Sequence, residues 1–366
     1  MTNVLKLNSI SKKVNDVLTN GYALSDDCAT PDAVLVRSFN MHEWAVPETL
    51  QCVARAGAGV NNIPTGEYAK RGIVVFNTPG ANANAVKELV IGALFIAARN
   101  IFEGNAWANT LTGDDVKKQV EKGKGQFAGT EVLGKTIGVL GLGAIGRKVA
   151  AACNALGMTV VGYDPFLSEN AKAEIPFVTV YKTMDEVFKV SDFVTLHMPF
   201  TPETKNLIGS AAIAKMKDGV IVINAARGEL VNNADIKDAL TSGKVRKYVV
   251  DFPDGDCLNF KGIVAIPHLG ASTEEAEDNC AVMAAEEIKA YIEEGNIINS
   301  VNLPNLKVAK DGAHRIGVIY KGKLGKVNGK VTTATRGEYN YSIIDGDETD
   351  ASAITADELI KVRVVY

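Results

Sequence analysis

The sequence predicts an α/β fold whose main domain is a doubly wound, mostly parallel sheet. From residue 131 onward, apolar β-branched runs alternate with segments of helical periodicity, and short links join them. Val220–Asn224 is apolar up to its last residue, which is typical of a strand buried on both faces of a parallel sheet. A glycine-rich turn joins the strand Thr136–Leu140 to a helix, an arrangement found where such sheets bind ligands.

This turn has the pattern G-x-G-x-x-G, with Gly141, Gly143 and Gly146. The first glycine permits a tight turn, the second lets the backbone approach a pyrophosphate, and the third lets helix and strand pack closely. The N-terminus of the helix adds free N–H groups and a partial positive charge. Asp164 ends the next strand, where a carboxylate accepts both ribose hydroxyls and repels a 2′-phosphate. The pattern therefore predicts dinucleotide binding, with NAD favoured over NADP.

Composition sets the class of the protein. A chain of 366 residues has room for two or three domains. A net charge of −4 argues against a nucleic-acid surface, and the five scattered cysteines have no metal-binding spacing. The most apolar segment, Leu89–Ala98, is too short to span a bilayer, and the first ten residues lack an apolar signal core. We therefore expect a cytoplasmic protein without a metal, a membrane partner or a nucleic-acid partner.

The residues that precede the glycine turn have a β/α pattern of their own. Residues 1–84 predict a small open parallel sheet with one helix, Thr65–Lys70, and these strands: Val4–Leu7, Ala33–Val36, Cys52–Arg55 and Ile73–Phe76. Ala85–Asn100 is apolar on nearly every side, which predicts a helix buried within the chain or at a subunit contact. The more polar residues 101–130, which include Trp107, predict an arm or loop outside both cores.

Capping signals mark several later elements. Thr183 and Glu186 form a capping box, as do Ser272 and Glu275, and the helix after Ser272 should end at Gly295. Beyond Val301–Pro304 the pattern shortens. It predicts a helix at Ile354–Ile360 and these strands: His314–Tyr320, Val331–Thr335, Tyr339–Asp345 and Val362–Tyr366.

Polar side chains follow the predicted strands of the main sheet. Arg227 comes after Val220–Asn224, Asp251 follows the next strand, and His268 follows the last one. Carboxyl ends of parallel strands share one edge, so these groups should meet there. Hydride transfer from an alcohol uses such groups: a histidine takes the hydroxyl proton, a carboxylate orients it, and an arginine holds the substrate. His197, which also ends a strand, is expected to hydrogen-bond or pack rather than act as the base.

Three segments after GLGAIG carry a family resemblance: AARGELVNNADIKDAL, VVDFPDGD and IPHLGAST. At these intervals they resemble the D-2-hydroxyacid dehydrogenase family, and the likeness extends over residues 4–304. Three earlier segments, ARAGAGVNNIP, VLVRS and NTPGANANAVKELVIGAL, are similar to the branch of that family that oxidises 3-phosphoglycerate to 3-phosphohydroxypyruvate with NAD, the first step of serine biosynthesis.

The resemblance implies two Rossmann- or flavodoxin-like domains with a cleft between them. Residues 1–84 and 270–303 would form a discontinuous substrate-binding domain, and residues 85–269 the NAD-binding domain. Helices near 85–100 and 272–294 would form the hinge. The chain would assemble as a homodimer or homotetramer.

The resemblance also assigns roles to residues. Arg227 corresponds to the substrate-binding and electrophilic arginine, and His268 to the acid–base histidine. The implied cofactor contacts are Gly141, Gly143, Ala144, Ile145, Gly146, Asp164, His197, Met198, Pro199, Ala225, Ala226, Arg227, Asp251, His268, Gly270 and Ala271. The implied substrate contacts are Arg37, Ser38, Arg55, Gly57, Ala58, Arg227 and His268.

Two departures from the family pattern stand out. Where the family has a catalytic glutamate, this chain has Asp256, which is one methylene shorter. Either its loop moves in, or Asp254 substitutes, or a water bridges the gap. Second, residues 304–366 resemble a small α+β ACT-like regulatory domain that lacks its first helix. We expect this reduced tail to serve assembly, with weak or missing inhibition by serine.

Two other functions remain open from the sequence. Another member of the family would act on a different 2-hydroxy acid, such as 2-hydroxyglutarate or a phosphorylated sugar acid. Arg37 and Arg55 favour a second anionic group on the substrate without identifying it. An NADH-sensing binding protein, similar to a transcriptional co-repressor, would use the same fold without catalysis. The combination of Arg227, His268 and an acid near residue 256 argues against that function.

Overall fold

The computed structural model describes residues 1–347 and 350–365. The chain divides into two compact units. Met1–Asn82 and Glu274–Tyr366 form the first unit, and Ala83–Thr273 form the second. The expected α/β class is confirmed in both units, because each contains a parallel sheet with helices between its strands.

The first unit begins with a parallel sheet of five strands within residues 1–82, all of which are described. Its elements are β1 (Thr2–Leu7), α1 (Val14–Val17), β2 (Tyr22–Ser25), β3 (Ala33–Val36), β4 (Cys52–Arg55), α2 (Thr65–Lys70) and β5 (Val74–Asn77). The order β2-β1-β3-β4-β5 is the flavodoxin-like order. The sequence missed α1 and β2, because four residues are too few for a helical period or a strand alternation to emerge.

The second unit is built on a parallel sheet of seven strands within residues 83–273, which are likewise all described. Its elements are α3 (Ala83–Arg99), α4 (Ile101–Ala108), α5 (Val116–Gly123), β6 (Thr136–Leu140), α6 (Ala144–Ala155), β7 (Thr159–Tyr163), α7 (Glu169–Ala173), β8 (Thr179–Val180), α8 (Met184–Val190), β9 (Phe193–Leu196), α9 (Ser210–Lys215), β10 (Val220–Asn224), α10 (Asn233–Ser242), β11 (Val245–Val250) and β12 (Ile263–Ala265).

The strand order of this sheet is β12-β11-β10-β9-β6-β7-β8. Numbered within the unit, the first six strands have the order 3-2-1-4-5-6 of the Rossmann fold, with one strand added beyond the sixth. The order reverses between β6 and β9, so the glycine turn after β6 lies at the switch point where such sheets bind ligands. All five residues of β10 are buried, as its apolar run predicts.

Residues 101–130 differ from the expected arm or loop, because α4 and α5 occupy most of them. Neither helix has a fully buried residue, and Trp107 packs against Phe127 with ring centroids 5.2 Å apart. Each helix has only eight residues, about two turns, which is too short for a helical period to stand out in the sequence and explains why it predicted an arm or loop. No helix in the part of the chain that the structure describes is long and apolar enough to cross a membrane. The expected homo-oligomer stays a prediction.

The predicted capping signals were partly correct. Both hydrogen bonds of the Thr183–Glu186 capping box are present at the start of α8. The helix α11 (Glu274–Glu294) begins one residue later than a cap at Ser272 requires, and the Ser272 hydroxyl donates to the His268 carbonyl instead. Gly295 has a φ of 69°, the left-handed conformation that ends a helix.

The described part of the tail is an antiparallel sheet without an α-helix. Its strands are β13 (His314–Leu324), β14 (Lys330–Arg336), β15 (Tyr339–Gly346) and β16 (Ala356–Val365), in the order β14-β15-β13-β16. The α+β expectation for the tail, with a helix at Ile354–Ile360, is therefore wrong. Most of that segment belongs to β16, because the open edge of β13 supplies backbone partners that outweigh local helix propensity. Tyr366, the last residue of the fourth predicted strand, lies outside the described residues.

The described links between these strands are short and contain no α-helix. Residues 325–329 carry the chain from the end of β13 to the start of β14, which runs parallel to it on the far side of β15. Val327 in this link and Ile354 in the link between β15 and β16 pack on a small core formed by Ile316, Val318 and neighbouring residues. Ile319, Tyr341 and Ile343 join the core of the first unit around α11 instead.

The tail also satisfies the backbone at the end of α11. Arg315 donates to the carbonyl of Glu294 at 2.8 Å, and the Tyr341 hydroxyl donates to the carbonyl of Gly295 at 2.6 Å. Arg315 is fully buried and also forms two 2.7 Å hydrogen bonds to the Asp345 carboxylate. These contacts supply partners for carbonyl groups that a helix end leaves unpaired.

A buried carboxyl group lies in the second half of α11. Glu287 is 3% exposed and accepts a 2.7 Å hydrogen bond from the Asn299 amide through Oε1. Its Oε2 has no hydrogen-bond partner among the described residues. Burial raises the pKa of Glu287 from 4.5 to about 8, more than the Asn299 hydrogen bond lowers it.

This shift predicts a loss of stability with rising pH. Between pH 4.5 and pH 8 the unfolded chain ionises at Glu287 while the folded chain keeps the proton, so the free energy of unfolding falls across that window and levels off above it. In Glu287→Gln, which keeps an oxygen for Asn299 but does not titrate, that contribution should disappear.

The measurement is urea unfolding of both proteins across the window, with Glu286→Gln on the exposed face as the control. The free-energy difference between Glu287→Gln and wild type should move in favour of the variant as pH rises. Parallel stability curves for the two proteins would contradict the prediction.

Candidate active site

The candidate cofactor and catalytic residues of the second unit follow the carboxyl ends of its strands. The glycine turn follows β6, and Asp164 follows β7. His197 follows β9, Arg227 follows β10, and Asp251 follows β11. Because all seven strands are parallel, these ends share one edge of the sheet.

The glycine turn is built as the sequence predicts. Gly141 has a φ of 91°, and a Cβ there would lie 2.6 Å from the His197 carbonyl oxygen. A Cβ on Gly146 would lie 1.9 Å from the Gly141 carbonyl oxygen, so only glycine permits this approach of helix to strand. A Cβ on Gly143 would meet no protein atom within 4 Å. The backbone there faces open space, which suits a pyrophosphate beside the first helical residues, Ala144 and Ile145.

Asp164 stands next to this turn. One carboxylate oxygen accepts a 2.8 Å hydrogen bond from the Leu142 amide, and the other accepts a 2.9 Å hydrogen bond from the Phe166 amide. A carboxylate has about four lone-pair positions. Two remain for ribose hydroxyl groups, so the residues present fit NAD.

The His197 side chain forms a hydrogen bond within its own strand end. Its Nε2 lies 2.9 Å from the hydroxyl of Thr195, and burial lowers the pKa of His197 to about 3. The ring is therefore neutral at physiological pH. Met198, next in the chain, packs partly buried on the core of the unit, and Pro199 is exposed.

Arg227 is presented by a short loop after β10. Asn224, almost fully buried, donates to the Arg227 carbonyl at 2.8 Å and accepts from the Ala226 amide at 3.1 Å. Ala225 and Ala226 are half-buried within this loop. The Arg227 guanidinium donates to the Ala226 carbonyl at 2.6 Å, which orients the side chain.

Asp251 holds the loop that carries His268. Its carboxylate is 2% exposed and accepts hydrogen bonds from the amides of Leu269 at 2.7 Å and Gly270 at 2.9 Å. Burial raises the pKa of Asp251, while these two bonds and the charge of His268 lower it in part. A Cβ on Gly270 would lie 2.9 Å from the carboxylate. Ala271, the last of the expected cofactor contacts, is half-buried behind this loop.

His268 itself has a strained backbone and an exposed side chain. Its φ of 53° lies in the left-handed region, which costs a non-glycine residue about 1–2 kcal/mol. Asp251 fixes the two residues that follow, so the surrounding structure imposes this conformation. Strain maintained in this way is typical of residues that function depends on.

Phe252 links the two candidate catalytic residues. The Arg227 guanidinium lies 5.1 Å from the centre of its ring, and the rings of Phe252 and His268 are 4.2 Å apart between centroids. A Cβ on Gly228 would lie 2.8 Å from the Phe252 carbonyl oxygen, so the glycine after Arg227 permits this approach. The sequence did not identify Phe252. The available signal was its position directly after Asp251 at a strand end.

The Asp256 side chain is directed toward a different element, the helix α10. Its side chain is 74% exposed and pairs with Lys237 of α10 at 3.7 Å. Asp254 accepts hydrogen bonds from the Asn233 amide group at 2.7 Å and from the Asp256 and Cys257 amides. The structure therefore groups Arg227, Phe252 and His268, and directs both acids of this loop toward α10.

The first unit places its candidate residues at the ends of two neighbouring strands, β3 and β4. Arg55 at the end of β4 donates through Nε to the Arg37 carbonyl at 3.0 Å, and its guanidinium lies against Gly57, where a Cβ would be 2.1 Å from Nη1. Exposed Ser38 donates its amide to Asn8 at 3.0 Å. Ala58, also exposed, accepts from Asn77 at 2.6 Å.

The role of Asp251 leads to a prediction about backbone exchange. Asn at this position has one acceptor oxygen where the aspartate has two, so one of the two loop amides loses its partner. We expect hydrogen exchange at Leu269 or Gly270 to accelerate by about tenfold or more in Asp251→Asn, because a hydrogen bond to a charged group stabilises by ~1.5–3 kcal/mol. Mass-spectrometric exchange of this loop measures the change.

Asp254→Asn is the matched control, since it holds a different loop. In this variant, exchange at Leu269 and Gly270 should stay at the wild-type rate. Equal protection of the His268 loop in wild type and Asp251→Asn would show that the carboxylate does not hold it.

Comparisons with known proteins agree with this geometry. The family model of the D-isomer specific 2-hydroxyacid dehydrogenase, NAD binding domain, matches residues 91–270. A D-3-phosphoglycerate dehydrogenase of Methanocaldococcus jannaschii is 35% identical over 308 residues, which cover 76% of this chain and 57% of that protein. A hydroxypyruvate reductase of Thermotoga maritima is 38% identical over 269 residues, which cover 70% of this chain and 83% of that protein.

A solved structure is also similar. The NAD+-bound 3-phosphoglycerate dehydrogenase of Entamoeba histolytica matches with a TM-score of 0.66 and 26% identity, covering 82% of this chain and 98% of that one. The chain spans little more than half the length of the M. jannaschii enzyme. The glycine turn, the Arg227–Phe252–His268 group and these similarities lead to one conclusion: the chain belongs to the D-isomer specific 2-hydroxyacid dehydrogenase family, and residues 91–270 are its NAD-binding domain.

Proposed function

We propose that this protein catalyses the NAD-dependent oxidation of 3-phospho-D-glycerate to 3-phosphohydroxypyruvate, the first step of serine biosynthesis. The observation that supports this most is the placement of Arg227 and His268 against the same ring, Phe252, at the carboxyl edge of the NAD-binding sheet. The M. jannaschii and E. histolytica relatives, both phosphoglycerate dehydrogenases, support the choice of substrate.

In this proposal Arg227 and His268 divide the chemistry. The Arg227 fork holds the substrate carboxylate and stabilises the carbonyl that develops at C2. The His268 imidazole takes the proton of the C2 hydroxyl. NAD, held by the glycine turn and Asp164, supplies the acceptor for the C2 hydride. Phe252 keeps both side chains in place, so neither has to reorganise as the reaction proceeds.

Arg37 and Arg55 of the first unit are our candidates for the phosphate group of the substrate. Arg55 donates to the Arg37 carbonyl, so this hydrogen bond holds the two residues next to each other. Planar guanidinium forks match phosphate oxygens well, and two of them suit a group that carries close to two negative charges.

One observation favours a second candidate, the reduction of an unphosphorylated 2-oxo acid such as hydroxypyruvate. Arg37 already forms a 2.7 Å ion pair with Glu277, which lowers the positive charge available to a phosphate. The T. maritima relative is a hydroxypyruvate reductase. In their substrates, the two candidates differ in whether the acid carries the phosphate.

A substrate panel separates the candidates. Followed by NADH absorbance, 3-phosphoglycerate should exceed D-glycerate, 2-hydroxyglutarate and D-lactate in kcat/KM by about a hundredfold, because charge-assisted hydrogen bonds to the phosphate stabilise by ~1.5–3 kcal/mol each. A preference for D-glycerate would favour the second candidate. NADH binding without turnover of any acid would favour a nucleotide-sensing protein.

We propose Asp256 as the carboxylate partner of His268, with Asp254 as the alternative. Asp256 is the freer of the two to turn toward His268, because a long, exposed ion pair holds it, whereas several hydrogen bonds hold Asp254. A carboxylate partner stabilises the imidazolium, so its removal should shift the acidic limb of the kcat/KM profile for oxidation toward lower pH by about one unit.

The two variants Asp256→Asn and Asp254→Asn are measured side by side across pH. A shift in Asp256→Asn alone is the expected result. A shift in Asp254→Asn alone would transfer the role to Asp254. Unchanged profiles in both would remove a carboxylate from the mechanism.

A further inference from the structure

The first unit contains an ion pair at its candidate anion-binding residues. An oxygen of Glu277, in the first turn of α11, lies 2.7 Å from the Arg37 guanidinium. The side chains are 43% and 34% exposed, respectively, so the pair is partly shielded yet reachable from solvent. A carboxylate is an unexpected neighbour where an anionic group of the substrate should bind.

Arg37 does not stand alone at this position. It follows β3, and Arg55 ends the neighbouring strand β4, opposite Val36 in the parallel register. The two guanidinium groups therefore extend from adjacent strand ends, and the Arg55 Nε donates to the Arg37 carbonyl. Together with Glu277, the three side chains carry two positive charges and one negative charge.

Packing fixes Glu277 beside these arginines. Cys280, one turn later on α11, is 5% exposed, because α11 packs against β3, β4 and β5. The buried Thr78 hydroxyl accepts from the Gly57 amide at 2.8 Å, next to the Arg55 side chain. The first turns of α11 therefore lie against the strands whose ends carry Arg37 and Arg55, and the ion pair follows from this packing.

We infer that Glu277 is a specificity-determining residue. Its carboxylate competes with the second anionic group of the substrate for Arg37, and so it sets how strongly the enzyme prefers a phosphorylated acid over its unphosphorylated counterpart. This inference rests on the proposed function, because it assigns Arg37 and Arg55 to the substrate phosphate.

The sign of the effect follows from charge. A phosphate ester carries about −1.5 to −2 at neutral pH, whereas the hydroxyl group it replaces is neutral. Glu277 repels the first and leaves the second nearly unaffected. Two unit charges 4 Å apart in a water-like environment repel enough to change an affinity by about fivefold. Removal of the Glu277 charge should therefore strengthen the preference for the phosphorylated acid.

The first test compares 3-phosphohydroxypyruvate with hydroxypyruvate, which differ only in the phosphate. In Glu277→Gln, the ratio of the hydroxypyruvate KM to the 3-phosphohydroxypyruvate KM should rise about fivefold over wild type. Glu275→Gln, in the same turn and with the same change of charge, should leave the ratio at the wild-type value. An unchanged or lowered ratio in Glu277→Gln would overturn the inference.

The second test needs no turnover. Sodium sulfate, a dianion, is added to each protein and the rise in melting temperature is compared with that in sodium chloride of equal ionic strength. Glu277→Gln should gain more from sulfate than wild type and Glu275→Gln do. Equal gains would overturn the inference. If wild type reduces neither acid, the proposed function fails while the sulfate comparison still decides the role of Glu277.

Discussion

The carboxyl edge of the seven-stranded sheet depends on hydrogen bonds between strand-end side chains and loop backbone. Asn224 ends a strand, Asp164 and Asp251 each stand just after one, and all three accept from amides of a loop. A strand ladder fixes residues only as far as the strand extends. Beyond the strand, these acceptors hold the backbone of the loops that carry the candidate cofactor-binding and catalytic residues.

Burying these polar side chains at the edge of the sheet costs free energy, which their hydrogen bonds offset. A carboxylate as deeply buried as Asp251 loses its hydration, and two charge-assisted hydrogen bonds replace it. His268 adds the cost of a left-handed backbone. Phe252 then supplies an apolar surface for both candidate catalytic side chains without demanding a hydrogen bond. The site is thus held by its surroundings before any substrate arrives, which is the condition for effective electrostatic stabilisation.

The hydrophobic pattern of the sequence predicted those elements whose structure depends on residues close together in the chain. Thr136–Leu140 and Val220–Asn224 matched to the residue, because buried parallel strands are nearly continuous apolar runs. The Phe252 contacts and the Lys237 pair of Asp256 were not predictable, since each joins residues from elements that are separate in the sequence. The strand at Ala356–Val365 likewise depends on a partner more than thirty residues away. Pairing across such distances outweighs the propensity of a short segment.

The absence of an α-helix from the described links of the tail has a consequence for how this chain could change over evolutionary time. A regulatory domain with its own helices carries its own core and can be gained, lost or exchanged between genes. Here one face of the sheet contributes to the core around α11, and Arg315 and Tyr341 complete the end of that helix. Recombination that removed the tail would expose part of this core and leave carbonyl groups at the end of α11 without these donors, so the segment is not a portable module.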